Sequence, residues 1–124
     1  SAINFIDKIN HPLAGILIDL MHINRSEEKL PDLNNPLFAY IQGCDFYQSS
    51  KELTGDDYIM AAIDDRCCLG QGEAAEEEII KMCDSNLDVS LEIRSKNLRN
   101  KFPNPVERAK YIFKHCIREN NYKS

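Results

Sequence analysis

Five cysteines, Cys44, Cys67, Cys68, Cys83 and Cys116, and three histidines, His11, His22 and His115, are the residues of this 124-residue chain best suited to nucleophilic, redox or metal chemistry. Their spacing narrows the choice. Cys67 and Cys68 are adjacent, and no Cys-x-x-Cys occurs, so the usual zinc-knuckle and thioredoxin patterns are absent. A metal site or a Cys–His nucleophile pair would have to be assembled from distant residues such as Cys44, Cys67, Cys116 and His115. His11 and His22 would share a face of a continuous helix, but about 16 Å apart along its axis, too far to bind one ion. Packing is the favoured reading: thiols outside disulfides behave as small apolar groups, and Cys67, Cys83 and Cys116 fall on apolar faces.

Carboxylates are the next candidates. Asp56-Asp57 and Asp64-Asp65 are neighbours in sequence, but adjacent helical residues point about 100° apart, so neither pair makes a facing acid–base dyad. Glu73, Glu76, Glu77 and Glu78 suit the positive end of a helix dipole. Asp84, Asn86, Asp88 and Ser90 alternate like the start of an EF-hand calcium loop. The sixth position is Val89 instead of Gly and the twelfth is Ser95 instead of Glu, which removes the turn and the principal ligand, so a capped turn is expected there. No phosphate loop, dinucleotide fingerprint, nucleophile elbow or zinc-protease helix is present, and no cofactor is expected.

The elements that would carry these groups read as helices. Thr54 to Cys83 reads as two helices joined by Gly70-Gln71-Gly72, one with Ile59, Ala62, Ile63 and Cys67 on its apolar face, the other with Ala75, Ile79, Met82 and Cys83. Thr54 and Asp57 form a variant capping box. Before them, Ile3, Ile6 and Ile9 precede a break at Asn10-His11-Pro12, and Leu13, Ile16, Leu17, Leu20 and Met21 resume at helical spacing. Residues 24–35 are a polar loop, after which Asn35 and Pro36 open a short helix through Leu37, Phe38 and Ile41 to Gly43. Leu87 to Ile93 alternates like a strand, but with no second alternating segment to pair with it the helical stripe of Leu87, Leu91 and Leu98 is preferred. Asn104, Pro105 and Glu107 open a last helix that buries Val106, Ala109, Ile112, Phe113, Cys116 and Ile117. The expectation is an all-α bundle of five or six helices in one domain over residues 1–118, with a frayed tail over 119–124.

At 43% hydrophobic and 28% charged the composition is that of an ordinary globular domain, and the pI near 5.2 argues against a general nucleic-acid binder. The charge is divided. Residues 1–93 hold 6 basic and 18 acidic side chains, and residues 94–124 hold 9 basic and 2 acidic, about −12 against +7. The C-terminal segment either packs near the acidic body or, through Arg94, Lys96, Arg99 and Lys101, faces a partner. The start has no secretory leader pattern, and the most apolar run, Leu13 to Ile23, is too short and too interrupted to span a bilayer. A cytoplasmic location, in bacterial or host cytosol, follows from these features and the odd cysteine count.

With enzyme motifs missing, action through a surface is the favoured reading. The aromatic anchors would be Phe38, Tyr40, Phe46, Tyr47 and Tyr58. The wording of SAINFIDKINHPLAG and KYIFKHCIRENN, with the small size and the thiols, resembles small helical effector regulators of intracellular bacteria, in particular inhibitors of Legionella effectors that deamidate and transglutaminate ubiquitin. The resemblance implies a non-enzymatic inhibitor or adaptor that binds a ubiquitin-modifying effector, with a homodimer as a further expectation. A cysteine- or metal-dependent enzyme, and a basic segment that binds anionic lipid or nucleic acid, are the competing readings.

Overall fold

Ile16, Leu17 and Ile18 form a continuous apolar run, and in the computed structural model, which describes residues 1–47 and 53–118, they build a strand. Helix α1 (Ala2–Ile9) ends at Asn10 in a left-handed conformation, and β1 (Ile16–Asp19) follows a turn. Asp19 then terminates the strand and caps α2 (Leu20–Arg25), its carboxylate accepting from the N–H groups of Met21 at 3.0 Å and His22 at 3.4 Å. The stripe from Leu13 to Met21 is thus a strand and a helix end to end, a correction of the single helix expected. A parallel strand lying on a core reads as an unbroken apolar run, which spacing alone does not separate from a helix.

Asn35 behaves as a cap, but of a turn. Its side chain accepts from the Leu37 N–H at 3.0 Å, its carbonyl accepts from Phe38 at 3.1 Å, and the chain leaves in β2 (Phe38–Gly43) where a helix was expected. The alternating segment is also a strand, β5 (Val89–Leu91). Its partner is β2, the central strand of a parallel sheet ordered β1-β2-β5, whose alternation is interrupted by a bulge that leaves Ala39 without a partner on β1. The all-α expectation is therefore overturned: the described residues form a mixed α/β fold.

A two-stranded antiparallel ribbon, β3 (Asp45–Phe46) with β4 (Arg66–Cys67), continues directly from the carboxyl end of β2. Between its strands lies α3 (Gly55–Asp64), which opens on the expected Thr54–Asp57 capping box. The central helical hairpin is not formed. Helix α3 stops at Asp64, Cys67 belongs to a strand, and Ile59 is 59% exposed while Ala61 is buried. Arg66 ends the helical path because its N–H donates to the Arg94 carbonyl at 3.0 Å and its guanidinium turns inward. The second half fits better: α4 (Glu76–Cys83) buries Ile79 and Met82.

Ser95 caps the short α5 (Lys96–Lys101), and Asn104 caps α6 (Pro105–Arg118), accepting from the Val106 N–H at 2.8 Å. The face that α6 buries is narrower than expected. Cys116 is buried and Ile112 half-buried, but Val106, Ala109 and Phe113 are exposed. The side chain of Ile117 and the tail over 119–124 lie outside the described residues.

The register places Ile18, Ile41 and Val89 in one row across the sheet. That row faces the main core, which holds Leu20, Leu30, Cys68, Ile79, Met82 and Cys116. A second cluster of Met21, Cys44, Phe46 and Ala61 sits under α3. Each fully buried large apolar side chain stabilises the fold by roughly 1.5–3 kcal/mol. Among the described residues no helix is long and apolar enough to cross a membrane.

Candidate functional site

Strand ends, not helix faces, organise the polar chemistry. Past the carboxyl ends of β1 and β2 lie Asp19, Cys44 and Asp45, all buried, and Arg66 enters among them from β4. The Arg66 Nη1 donates to Asp19 Oδ2 at 3.0 Å and to Cys44 Sγ at 3.3 Å, and its Nε donates to the Ala62 carbonyl at 2.9 Å. Burial pulls this guanidinium down, but Cys44 and Asp19 together hold it above its ordinary range, so Arg66 remains a cation with its Nε and Nη1 donors committed.

Asp45 is committed in the same way. Its carboxylate accepts from the N–H groups of Phe46 at 2.8 Å, Gly70 at 3.1 Å, Gly72 at 2.8 Å and Ala74 at 2.9 Å. The Gly-Gln-Gly segment, expected to break two helices, instead wraps this carboxylate. Gly70 has φ 80°, and a Cβ on Gly72 would collide with the Asp45 carboxylate and the Phe46 carbonyl.

Above this layer opens a cleft of about 620 Å³. Its floor is Arg66 and Cys67. One wall is α5 with Lys96, Asn97, Asn100 and Lys101, backed by Tyr111 of α6, and the other side holds Tyr47 and Gln71. A bridge between Asp65 and Ser95 closes one end, where Arg99 pairs with Asp64. The Lys101 ammonium lies 5.5 Å from the Phe102 ring centre and 5.4 Å from that of Tyr111, which stacks on His115 at 3.8 Å.

The thiols here are poor nucleophiles. Burial, reinforced by the Asp45 charge, pushes Cys67 up to about 12, and burial pushes Cys44 up to about 11 despite Arg66. At neutral pH both remain protonated. The Tyr47 hydroxyl is raised by its electrostatic coupling to Cys67, whose sulfur it hydrogen-bonds, and then by burial. Cys116 is shifted downward by a hydrogen bond with Cys68, against its burial, and lies in the main core. None of the five cysteines is in a disulfide. The His115 Nδ1 lies 2.8 Å from the Tyr111 carbonyl, and among the described residues no group of three His, Cys, Asp or Glu side chains could hold a metal ion.

The nine residues singled out as partner-binding candidates divide. Phe38 and Phe46 are buried, one in each core cluster. Tyr47, Lys96 and Lys101 line the cleft, with Arg99 beside it. Arg94 is exposed, its carbonyl used by Arg66. Tyr58 is exposed against Arg25, whose guanidinium carbon lies 5.6 Å from its ring centre. Tyr40 pairs with Leu17 across β1 and β2, and both are more than a third exposed on the sheet face turned away from the core.

A second surface was not singled out from the sequence. Helix α1 buries none of its residues, and Phe5, Ile9 and Leu13, spaced by four, are 65%, 46% and 89% exposed. Beside it an apolar groove of about 500 Å³ runs between α1, the free edge of β1 and α2. The Ile-rich spacing signalled an amphipathic segment, but spacing does not tell whether the fold will cover it.

Fold and sites together define a small α/β domain with a polar cleft at the carboxyl end of its sheet and an uncovered apolar face at its N-terminal end. Comparison with known protein families and with curated proteins finds no match to the chain.

Proposed function

We propose that this chain is a protein-binding regulator with no covalent chemistry of its own, and that it docks through its N-terminal face. What supports this reading is helix α1: Ile3 and Ile6 are half-buried, with Ile3 packed against the main core, but Phe5 and Ile9 on the same helix are exposed. Such a helix gains little from its own fold and much from a partner's groove. Leu13 and the cross-strand pair Leu17 and Tyr40 are further exposed apolar side chains in the N-terminal half, and clustered exposed apolar surface marks interaction sites. The protonated state of Cys44 and Cys67 weighs against thiol catalysis at those positions. The proposed partner is a protein with an apolar groove, of which a bacterial effector acting on ubiquitin is the case that the sequence resemblance implies. A reducing cytoplasm is the proposed setting.

The test compares tagged protein with a Phe5→Ser/Leu13→Ser variant in affinity capture and light scattering. Both side chains are largely exposed, so the variant should keep its thermal midpoint. A stoichiometric partner held by the original chain and released by the variant supports the reading. Equal retention by both, or a monomer that holds nothing, overturns it. A concentration-dependent dimer that the variant abolishes reassigns the face to a second copy.

A further inference from the structure

We infer that the cleft at the carboxyl end of the sheet binds a small phosphorylated ligand bearing a planar ring, of the nucleoside monophosphate class. Ligands of open parallel sheets sit outside the carboxyl ends of the strands, and the cleft is lined on that side by Ser95, which follows β5, and by Tyr47, Arg66 and Cys67 of the ribbon that continues from β2. Its volume of about 620 Å³ is in the range of small-molecule sites, roughly 300–1,000 Å³.

The charges in the cleft sort themselves. Arg66 is neutralised by Asp19, and Asp64 by Arg99, which leaves Lys96 and Lys101 to address a ligand, beside Asp65, whose charge also acts on Arg25. Two ammonium groups on one wall suit a phosphate. Lys101 is held on its wall by the Phe102 and Tyr111 rings, so less side-chain freedom is lost when it binds. The Asp65 carboxylate can accept hydrogen bonds from ribose hydroxyls, as acidic residues do in nucleotide sites on other α/β folds. Tyr47, 55% exposed and tethered through its hydroxyl to Cys67, presents a ring for stacking on a base. Gln71, Asn97 and Asn100 offer amides to the base edges.

The glycine-rich loop beside the cleft does not supply a phosphate cradle. The N–H groups of Gly70, Gly72 and Ala74, the nearest glycine-rich segment, are taken by Asp45. Recognition therefore falls to side-chain ammonium groups, which makes binding salt-sensitive.

The experiment is titration of the whole chain with AMP, adenosine and inorganic phosphate, followed by calorimetry and amide chemical shifts. The variants are Lys96→Gln, Lys101→Gln and Tyr47→Leu, with the remote Lys110→Gln as control. The expected result is AMP binding at least about tenfold tighter than adenosine or phosphate, weakened about tenfold by each cleft lysine variant and unchanged in the control. Tyr47→Leu should weaken AMP and leave phosphate alone. Absence of saturable AMP binding below about 1 mM overturns the inference. So does phosphate binding as tightly as AMP, or AMP binding indifferent to both cleft lysines. Unchanged thermal midpoints in the variants separate lost binding from lost fold.

Discussion

A single carboxylate shows how closely this molecule specifies its residues. Asp45 is 1% exposed and gathers four backbone N–H groups, so the loop from Gly70 to Ala74 is shaped around an internal anion. Gly72→Ala should cost about 1–3 kcal/mol in urea unfolding, because the added methyl meets a carboxylate and a backbone carbonyl instead of a flexible side-chain end. The thiols give a pH prediction. Cys44 and Cys67 have folded-state values of about 11 and about 12, above the ordinary 9.0, so the folded chain keeps protons that the unfolded chain loses. Their contribution is intact below pH 9 and is lost as pH rises through 11 and 12. Stability should therefore fall on the alkaline side of pH 9, and Cys67→Ala should flatten that limb when unfolding is measured at successive pH values.

At the scale of elements, the sequence was legible wherever a local hydrogen bond decides the outcome. Thr54 with Asp57, and Asn104 before Pro105, start helices as their side chains direct. Thr54→Ala should cost about 1 kcal/mol, seen as a lowered thermal midpoint with no change in the cleft. Legibility ended where tertiary pairing decides. Leu87 to Ile93 alternated correctly for a strand, but its partner β2 was hidden because the bulge at Ala39 interrupts its alternation. The chemistry of the cleft was hidden for a related reason. Lys96, Lys101 and Tyr47 were visible as candidates, but Asp19, Asp45 and Arg66 acquire their roles only when the strand ends converge. Their one local signal was a charge set within or beside an apolar run.

For the molecule as a whole, the core is shared between the sheet and the helices that pack on it, and two substitutions separate this fold from an all-helical one. Ile41, fully buried in β2, should cost about 2–5 kcal/mol on replacement by Ala, whereas Ile59, expected in the core of a helical hairpin, should cost less than about 0.5 kcal/mol. Equal losses at the two positions, read from denaturant midpoints, would contradict the fold described. The divided charge also takes a definite form here: Arg99 of the basic segment meets Asp64 of the acidic body in an exposed pair that contributes under about 1 kcal/mol, and Lys96 and Lys101 face the cleft.

The pairing of β2 with β5 also dictates an order of events on the ribosome. Ile41 aligns with Val89, and the residues between them, which include the ribbon and two helices, must emerge before that partner exists. At ordinary elongation rates β2 waits with one edge unpaired for roughly 2–10 s. During that interval the strand is a template for any extended chain nearby. A synonymous change that slows translation between codons 43 and 89 should therefore lower soluble yield without altering a single residue of the finished protein.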